Sequence, residues 1–99
     1  MKVELLYFDG CPNWEVAEER LAQALKAVGR DDLTVRLRQV ETAQDAANTG
    51  FTGSPTVLVD GRDPFATGHE QIGLACRVYS TPQGLAGSPS LEQLVEVLS

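Results

Sequence analysis

Residues 50–61, GFTGSPTVLVDG, combine an apolar, strand-like run with turn-forming residues on both sides of it. The run from Pro55 to residue 59 is rich in β-branched and apolar side chains, which indicates a strand. Asp60 and Gly61 then give a turn signal that ends it. Proline is tolerated at the first position of a strand, because no ladder hydrogen bond is lost there. The sequence therefore predicts a strand that begins at Pro55.

The chain before this stretch alternates strand and helix patterns. Residues 3–8 are a nearly continuous apolar run, which is typical of an interior strand covered on both faces. Apolar residues at spacings of three and four predict a first helix that opens at Pro12 and stops at Gly29. Residues 33–38 alternate between apolar and polar side chains. That alternation predicts a strand at the edge of the sheet.

Three further elements complete the predicted order. A short helix precedes the quoted stretch, with Thr42 as its N-cap and Gly50 as its stop. Alternation over residues 74–79 predicts a fourth strand. Leucine and valine spacing near the C-terminus predicts a final helix, which Ser90 and Gln93 begin with a capping box. The order is β-α-β-α-β-β-α, so helices are available to cover both faces of a mixed four-stranded sheet.

Length, charge and cysteine count narrow the possible functions. The 99 residues fit a single α/β domain over residues 1–99. A net charge of −6 disfavours phosphate backbones and anionic membrane surfaces, so nucleic acid and membranes are not expected partners. The first residues lack the zones of a signal peptide, so we expect a cytoplasmic protein. Two cysteines are too few for a disulfide scaffold, and their spacing predicts no metal site.

The chemistry concentrates in residues 9–14, DGCPNW. If Pro12 is the first helical residue, Cys11 is the N-cap and its sulfur lies near the free amides of Asn13 and Trp14. Those donors and the helix dipole lower the pKa of a thiol and favour the reactive thiolate. The sequence therefore predicts Cys11 as a nucleophile. The alternative is that Cys11 is only a small residue in a tight turn between strand and helix.

The two motifs and the element order resemble those of thioredoxin-like proteins, including the DsbA-like branch, over most of the chain. Cys11 stands where those families carry a Cys-x-x-Cys motif, and Pro55 stands where they carry a cis-proline. The resemblance implies a three-layer α/β/α sandwich and a cis peptide bond before Pro55. It also implies that the backbone of Ser54 pairs with a bound substrate chain beside the active cysteine. The predicted substrate-binding residues are Pro12, Trp14, Ser54 and Pro55.

The chain departs from that family at Trp14, which stands where the second, resolving cysteine would be. A dithiol cycle within the motif is therefore impossible. A mixed disulfide on Cys11 must be released by an outside thiol such as glutathione, or by another cysteine of the chain. Cys76 is the one internal candidate for this resolving role.

The pattern around Cys76 favours a structural role for it. Alternation places Cys76 on a buried face with Leu74 and Val78, while Arg77 points to the other side. If the third and fourth predicted strands pair as an antiparallel hairpin, Cys76 lies several residues away from the active site. A bond from Cys11 to Cys76 would then need backbone movement, because disulfides require Cα atoms within about 7 Å.

Three neighbouring side chains have plainer explanations than catalysis. Trp14 continues the apolar stripe of the first helix, so we expect a core or rim aromatic that narrows access to Cys11. His69 lies in a polar loop and is expected to be solvated. Asp9 could accept a proton, but a carboxylate before glycine usually serves the turn.

Two classes of function follow, with a weaker third. The first is a monothiol disulfide oxidoreductase that acts on a protein or small-molecule thiol or disulfide, with no cofactor and with glutathione as a possible co-substrate. The second is a non-catalytic binding module that holds a partner between Trp14, Pro55 and the loop from residue 80 to 88. The third is a soft-metal, mercury-type thiol binder, since thiolates bind such ions well.

Overall fold

Alternating apolar runs and amphipathic stripes organise the described residues into eight elements. The computed structural model describes residues 1–68 and 70–99, so the expectation for His69 lies outside the described residues. The elements are β1 (Val3–Tyr7), α1 (Asn13–Ala27), β2 (Arg36–Gln39), α2 (Ala43–Thr49), β3 (Thr56–Val59), β4 (Tyr79–Thr81), β5 (Gly84–Ala86) and α3 (Leu91–Leu98).

Strand β1 lies at the centre of a mixed three-stranded sheet with the order β2-β1-β3. It runs parallel to β2 and antiparallel to β3, and Leu5 is level with Leu37 on one side and Val57 on the other. The central position explains its apolar run, because neither edge nor face of the strand is free. Glu4 is the exception. It is buried, and its carboxylate lies 3.2 Å from Nη1 of Arg38.

The helices cover both faces of this sheet. Helices α1 and α3 pack on one face around a cluster whose buried members are Val3, Leu5, Ala17, Leu21, Ala24, Leu25, Val57, Leu94 and Leu98. The other face carries a smaller cluster around α2 that comprises Leu6, Val40, Ala46 and Phe51. Successive β1 residues point to opposite faces, so Leu5 belongs to the first cluster and Leu6 to the second. The protein is thus an α/β fold with a mixed sheet and three helices.

The predicted ends of α2 and the predicted start of α3 are confirmed. Thr42 accepts a hydrogen bond from the Asp45 amide at the start of α2, and Gly50 ends that helix in the left-handed conformation. Ser90 and Gln93 form the reciprocal capping box of α3. Within the described ranges, every helix is too short or too polar to cross a membrane.

The predicted fourth strand is the main difference. Residues 74–78 belong to none of the eight elements, and β4 begins only at Tyr79, where it forms a separate hairpin with β5. The four-stranded sheet is therefore not confirmed. Cys76 instead forms an isolated parallel bridge with Ser54, which precedes β3. Residues 74–78 thus run beside the loop before β3 and do not extend the sheet.

The predicted burial of residues 74–79 is also wrong, because the inward and outward faces are exchanged. Arg77 is buried with a relative exposure of 7%, while Leu74 and Val78 are exposed at 39% and 63%. Cys76 is exposed with them. The physical reason is that Arg77 and Tyr79 have polar partners inside, and satisfying them outweighs the burial of two aliphatic side chains.

Candidate functional site

Cys11 and Cys76 are joined by a disulfide bond. Their Cα atoms are 5.8 Å apart although the two residues are separated by 65 positions in the sequence. The separation that a hairpin of the third and fourth predicted strands would impose is therefore not found, and Cys76, the internal candidate for a resolving cysteine, lies within bonding distance of Cys11. Because residues 75–77 bridge to Ser54 rather than extending the sheet, Cys76 lies beside the motif at the end of β1. The site is thus a pair of cysteines that are distant in the sequence and bonded to each other in the fold.

Cys11 lies in the turn between β1 and α1. Its amide donates to the carbonyl oxygen of Phe8 at 3.3 Å, and its side chain is completely buried. The N-cap of α1 is Pro12, whose carbonyl oxygen accepts from the amide of Glu15. The helix thus begins one residue later than predicted, at Asn13, although Pro12 already has the helical φ and ψ expected of it, −73° and −9°.

Two polar groups contact the sulfur of Cys11. The side-chain amide Nδ2 of Asn13 lies 3.7 Å from Sγ and donates to it. The carbonyl oxygen of Ser54 also lies 3.7 Å from Sγ. The donor at the sulfur is thus the Asn13 side chain, whereas the sequence predicted backbone amides. A hydrogen-bond donor favours a thiolate at this position, while the carbonyl oxygen favours a protonated thiol.

Ser54 binds the chain's own segment, residues 75–77. Its amide donates to the carbonyl oxygen of Ala75 at 2.8 Å, and its carbonyl oxygen accepts from the amide of Arg77 at 2.9 Å. Residues 75–77 can lie this close to Ser54 because residue 53 is glycine. A Cβ on Gly53 would lie 3.0 Å from Cβ of Arg77, and the φ of Gly53 is +118°. Both backbone groups of Ser54 are therefore occupied within the protein.

The peptide bond between Ser54 and Pro55 is cis, so that expectation is confirmed. Ser54 and Pro55 are both fully buried. The hydroxyl of Tyr79 donates to the carbonyl oxygen of Pro55. Burial raises the pKa of the Tyr79 hydroxyl well above its ordinary value, so the group stays protonated and remains a donor. The predicted substrate-binding pair is consequently covered by residues 75–79.

Cys76 lies at an open part of the surface. It lines a cavity of about 610 Å³ together with apolar side chains that include Phe65, Val78 and Leu85. Leu85 is 79% exposed. The bridge therefore has one sulfur-bearing residue at the surface and one that is fully buried, and this asymmetry affects how it can react.

Arg77 holds the segment behind Cys76 in place. Its guanidinium forms ion pairs with Asp63 and Glu70 and donates to the carbonyl oxygen of Phe65. It also lies 4.7 Å from the ring centroid of Tyr79, within the range of a cation–π contact. The network ties the loop after β3 to residues 75–79, and so fixes where Cys76 is presented.

The other predicted site residues lie around the turn. Trp14 is half-buried and stacks on Tyr7 with ring centroids 4.1 Å apart, which confirms the expectation of a rim aromatic. Pro12 is exposed. Asp9 is exposed and accepts a hydrogen bond from Gln39 at 2.8 Å. The structure thus brings together four of the predicted site residues, Cys11, Ser54, Pro55 and Cys76. Trp14 is the second residue of α1, the helix that follows Cys11.

Comparisons with known proteins give no family for this chain. No protein-family model matches it, and neither the curated proteins nor the solved structures contain a significant match. The properties of the site therefore rest on its own geometry.

The sequence analysis missed Arg77 and Asn13. An arginine inside an otherwise apolar alternation, with acidic residues 7 and 14 positions earlier, is a signal for a paired buried cation. For Asn13 the signal is weaker, since it rests on one polar residue beside a cysteine. Within the part of the chain that the structure describes, no group of three or more His, Cys, Asp or Glu side chains is placed to hold a metal.

Glu70 should make the stability of the protein depend on acid pH. The amide of Thr67 donates to its carboxylate at 2.7 Å. This contact, with smaller contributions from the amide of Glu70 itself, the Thr67 hydroxyl and, least, Arg77, lowers the pKa of Glu70 from 4.5 to about 2. Because the folded pKa lies below the unfolded value, the stabilisation is complete above pH 4.5 and is lost as the pH falls toward 2. Urea unfolding of Glu70→Gln should therefore show a weaker pH dependence than the wild type in this window.

A matched variant for that measurement is Thr67→Ala. It removes the hydroxyl that lies 3.2 Å from the Glu70 carboxylate but keeps the backbone amide. We expect it to retain most of the wild-type pH dependence. Parallel curves for Glu70→Gln and the wild type would contradict the role assigned to Glu70.

Proposed function

We propose that this protein is a thiol-disulfide oxidoreductase whose redox couple is Cys11 and Cys76. The observation that carries the proposal is the disulfide between these residues beside the cis peptide bond of Pro55. Trp14 removes the option of a second cysteine within the motif, and Cys76 supplies the second cysteine of the couple from 65 positions away. The reaction class is exchange between this bridge and the thiols of a protein or small molecule, with glutathione as a candidate co-substrate.

The order of the sheet supports a thioredoxin-like arrangement as part of this proposal. Strands β1 and β2 are parallel, β3 is antiparallel to β1 and follows a cis-proline, and helices cover both faces. In the cytoplasm, where we expect the protein to act, persistent disulfides are uncommon, and those that form are usually catalytic or redox-sensing. Both points favour a bridge that opens and closes over one that only staples the fold.

The second candidate is a non-catalytic domain in which the bridge is a structural clamp. The observation in its favour is the complete burial of Cys11, together with the filling of the Ser54 edge by residues 75–77. The docking groove expected between Trp14, Pro55 and residues 80–88 is also reduced, because Pro55 is buried. A third use, soft-metal capture, would need the reduced form, in which two thiols at this Cα separation could hold one ion.

The reduction potential separates the first two candidates. The oxidised protein is equilibrated with mixtures of reduced and oxidised dithiothreitol or glutathione, and free thiols are counted after alkylation. An exchange enzyme should give a midpoint between about −270 and −120 mV, whereas a structural bridge falls below about −300 mV. In the same series, Cys11→Ser and Cys76→Ser should each abolish reduction of a model disulfide by glutathione. A midpoint below about −300 mV would contradict the proposed function and favour the clamp.

A further inference from the structure

We propose that external thiols open the bridge at Cys76, and that Asn13 is a catalytic residue that stabilises Cys11 as the leaving thiolate. This inference rests on the proposed exchange function and states which sulfur of the bridge is attacked and which one leaves. It reverses the roles predicted from the sequence, in which Cys11 is the entry nucleophile and Cys76 resolves.

The first support is access. Exchange requires a thiolate to reach one sulfur of the bridge, and the choice of sulfur depends on which one is open to it. Cys11 has a relative exposure of 0%, whereas Cys76 is exposed and lines the cavity of about 610 Å³. While the bridge is closed, the approach is therefore open at Cys76 and blocked at Cys11.

The second support is the environment of the leaving sulfur. Exchange is faster when the departing thiol has a lower pKa, because it leaves as a thiolate. Asn13 donates to Sγ of Cys11, whereas the opposing Ser54 carbonyl oxygen favours the protonated form. The nearest ionisable side chains along the sequence, Asp9 and Glu15, are exposed. The Asn13 amide is thus the group that offsets the carbonyl oxygen.

The amide of Asn13 is held in place by a residue without a side chain. The side-chain amide of Asn13 packs directly against the backbone of Gly87, because a Cβ at Gly87 would overlap Nδ2 of Asn13. The segment that carries Gly87 is anchored to α1, because Arg20 donates to Oγ of Ser88 at 2.9 Å and to the carbonyl oxygen of Pro89 at 2.8 Å. The donor at Cys11 is therefore positioned before the bridge opens.

The groove beside Cys76 also limits which thiols enter. Its lining combines apolar side chains such as Val78 and Leu85 with polar ones such as Gln71. Its buried cation, Arg77, is already paired with Asp63 and Glu70. An anionic thiol gains little from a neutralised arginine near two carboxylates. A neutral thiol therefore fits this groove better than an anionic one, and we expect glutathione, which carries a net negative charge, to open the bridge more slowly than 2-mercaptoethanol does.

The exchange then proceeds in two balanced steps. An external thiolate attacks Sγ of Cys76, the bond to Sγ of Cys11 breaks, and its electron pair stays on Cys11 as the thiolate. A second external thiolate attacks the outer sulfur of the mixed disulfide and releases Cys76 as a thiolate. Two external thiols are oxidised to one disulfide, and the bridge of the protein is reduced by two electrons.

The first test maps the mixed disulfide. Oxidised wild-type protein is mixed with 2-mercaptoethanol, quenched early with acid, digested between the two cysteines and analysed by mass spectrometry. We expect the adduct on Cys76 and a free thiol on Cys11. An adduct on Cys11 would overturn this inference and leave the exchange function standing. A bridge that stays closed in excess thiol would overturn both.

The second test measures the contribution of Asn13. In a Cys76→Ala background, Asn13→Ala should raise the pKa of Cys11, followed by the ultraviolet absorbance of the thiolate, by about one unit. With both cysteines present, the same change should slow opening of the bridge about threefold. Gly87→Ala, which displaces the amide, should act in the same direction. Asn48→Ala removes an exposed amide from α2 and should change neither quantity. An unchanged pKa in Asn13→Ala would overturn the role of Asn13.

Discussion

Replacing Arg77 with methionine should lower the free energy of unfolding by about 3–5 kcal/mol. The side chain of Arg77 is only 5% exposed, and its partner Asp63 is 14% exposed. Methionine fills much of the same volume but leaves the Asp63 carboxylate without its cation inside the protein. Breaking a buried pair by removing one partner is costly because the remaining charge cannot regain its hydration. The midpoint of urea unfolding, with an unchanged slope, is the measurement.

Arg30→Met is the matched control, because Arg30 forms an exposed ion pair. Its contact with Asp32 is 3.5 Å long, and the two side chains are 41% and 68% exposed. Such surface pairs contribute about 0–1 kcal/mol. If Arg77→Met and Arg30→Met destabilise the protein equally, the Arg77 network does not hold the segment behind Cys76.

Loss of the bridge is the second large effect that we expect. A disulfide restricts the unfolded chain, and a separation of 65 residues corresponds to about 4 kcal/mol in the loop-entropy estimate. Cys76→Ala is the suitable variant because Cys76 is exposed and its truncation leaves no cavity in the core. The free energy of unfolding of this variant, compared with that of the oxidised wild type, should fall by that amount.

Two controls separate the bond from the side chains. The wild type unfolded in the presence of a strong reductant should match Cys76→Ala, because both lack the cross-link. Cys11→Ala should be less stable than Cys76→Ala, since the buried sulfur of Cys11 leaves a void when it is removed. Equal stability of oxidised wild type and Cys76→Ala would mean that the bridge does not constrain the unfolded chain.

The elements whose signals are local could be predicted from the sequence. Thr42, Gly50 and Ser90 mark helix ends through hydrogen bonds within three or four residues, so their patterns are complete in a short window. The continuous apolar run of β1 likewise reports its central position. The cis bond before Pro55 followed from the family resemblance of the sequence around it.

The features that failed depend on contacts between distant residues. Alternation over residues 74–79 is compatible with either face inward, and the choice is made by Asp63 and Glu70, which lie 14 and 7 residues before Arg77. The disulfide between Cys11 and Cys76 follows from that choice and from the backbone pairing of Cys76 with Ser54. No short window of sequence contains all of these partners.

The two backbone hydrogen bonds of Ser54 couple the pairing of residues 75–77 with Ser54 to the opening and closing of the disulfide. The covalent bond holds residues 75–77 at a high effective concentration against Ser54, so the pairing forms more readily than with a free chain. Linkage makes the benefit mutual: paired backbone keeps the sulfurs together and shifts exchange toward the disulfide by the same factor. A competing strand at Ser54 would therefore make the bridge easier to reduce without touching either sulfur.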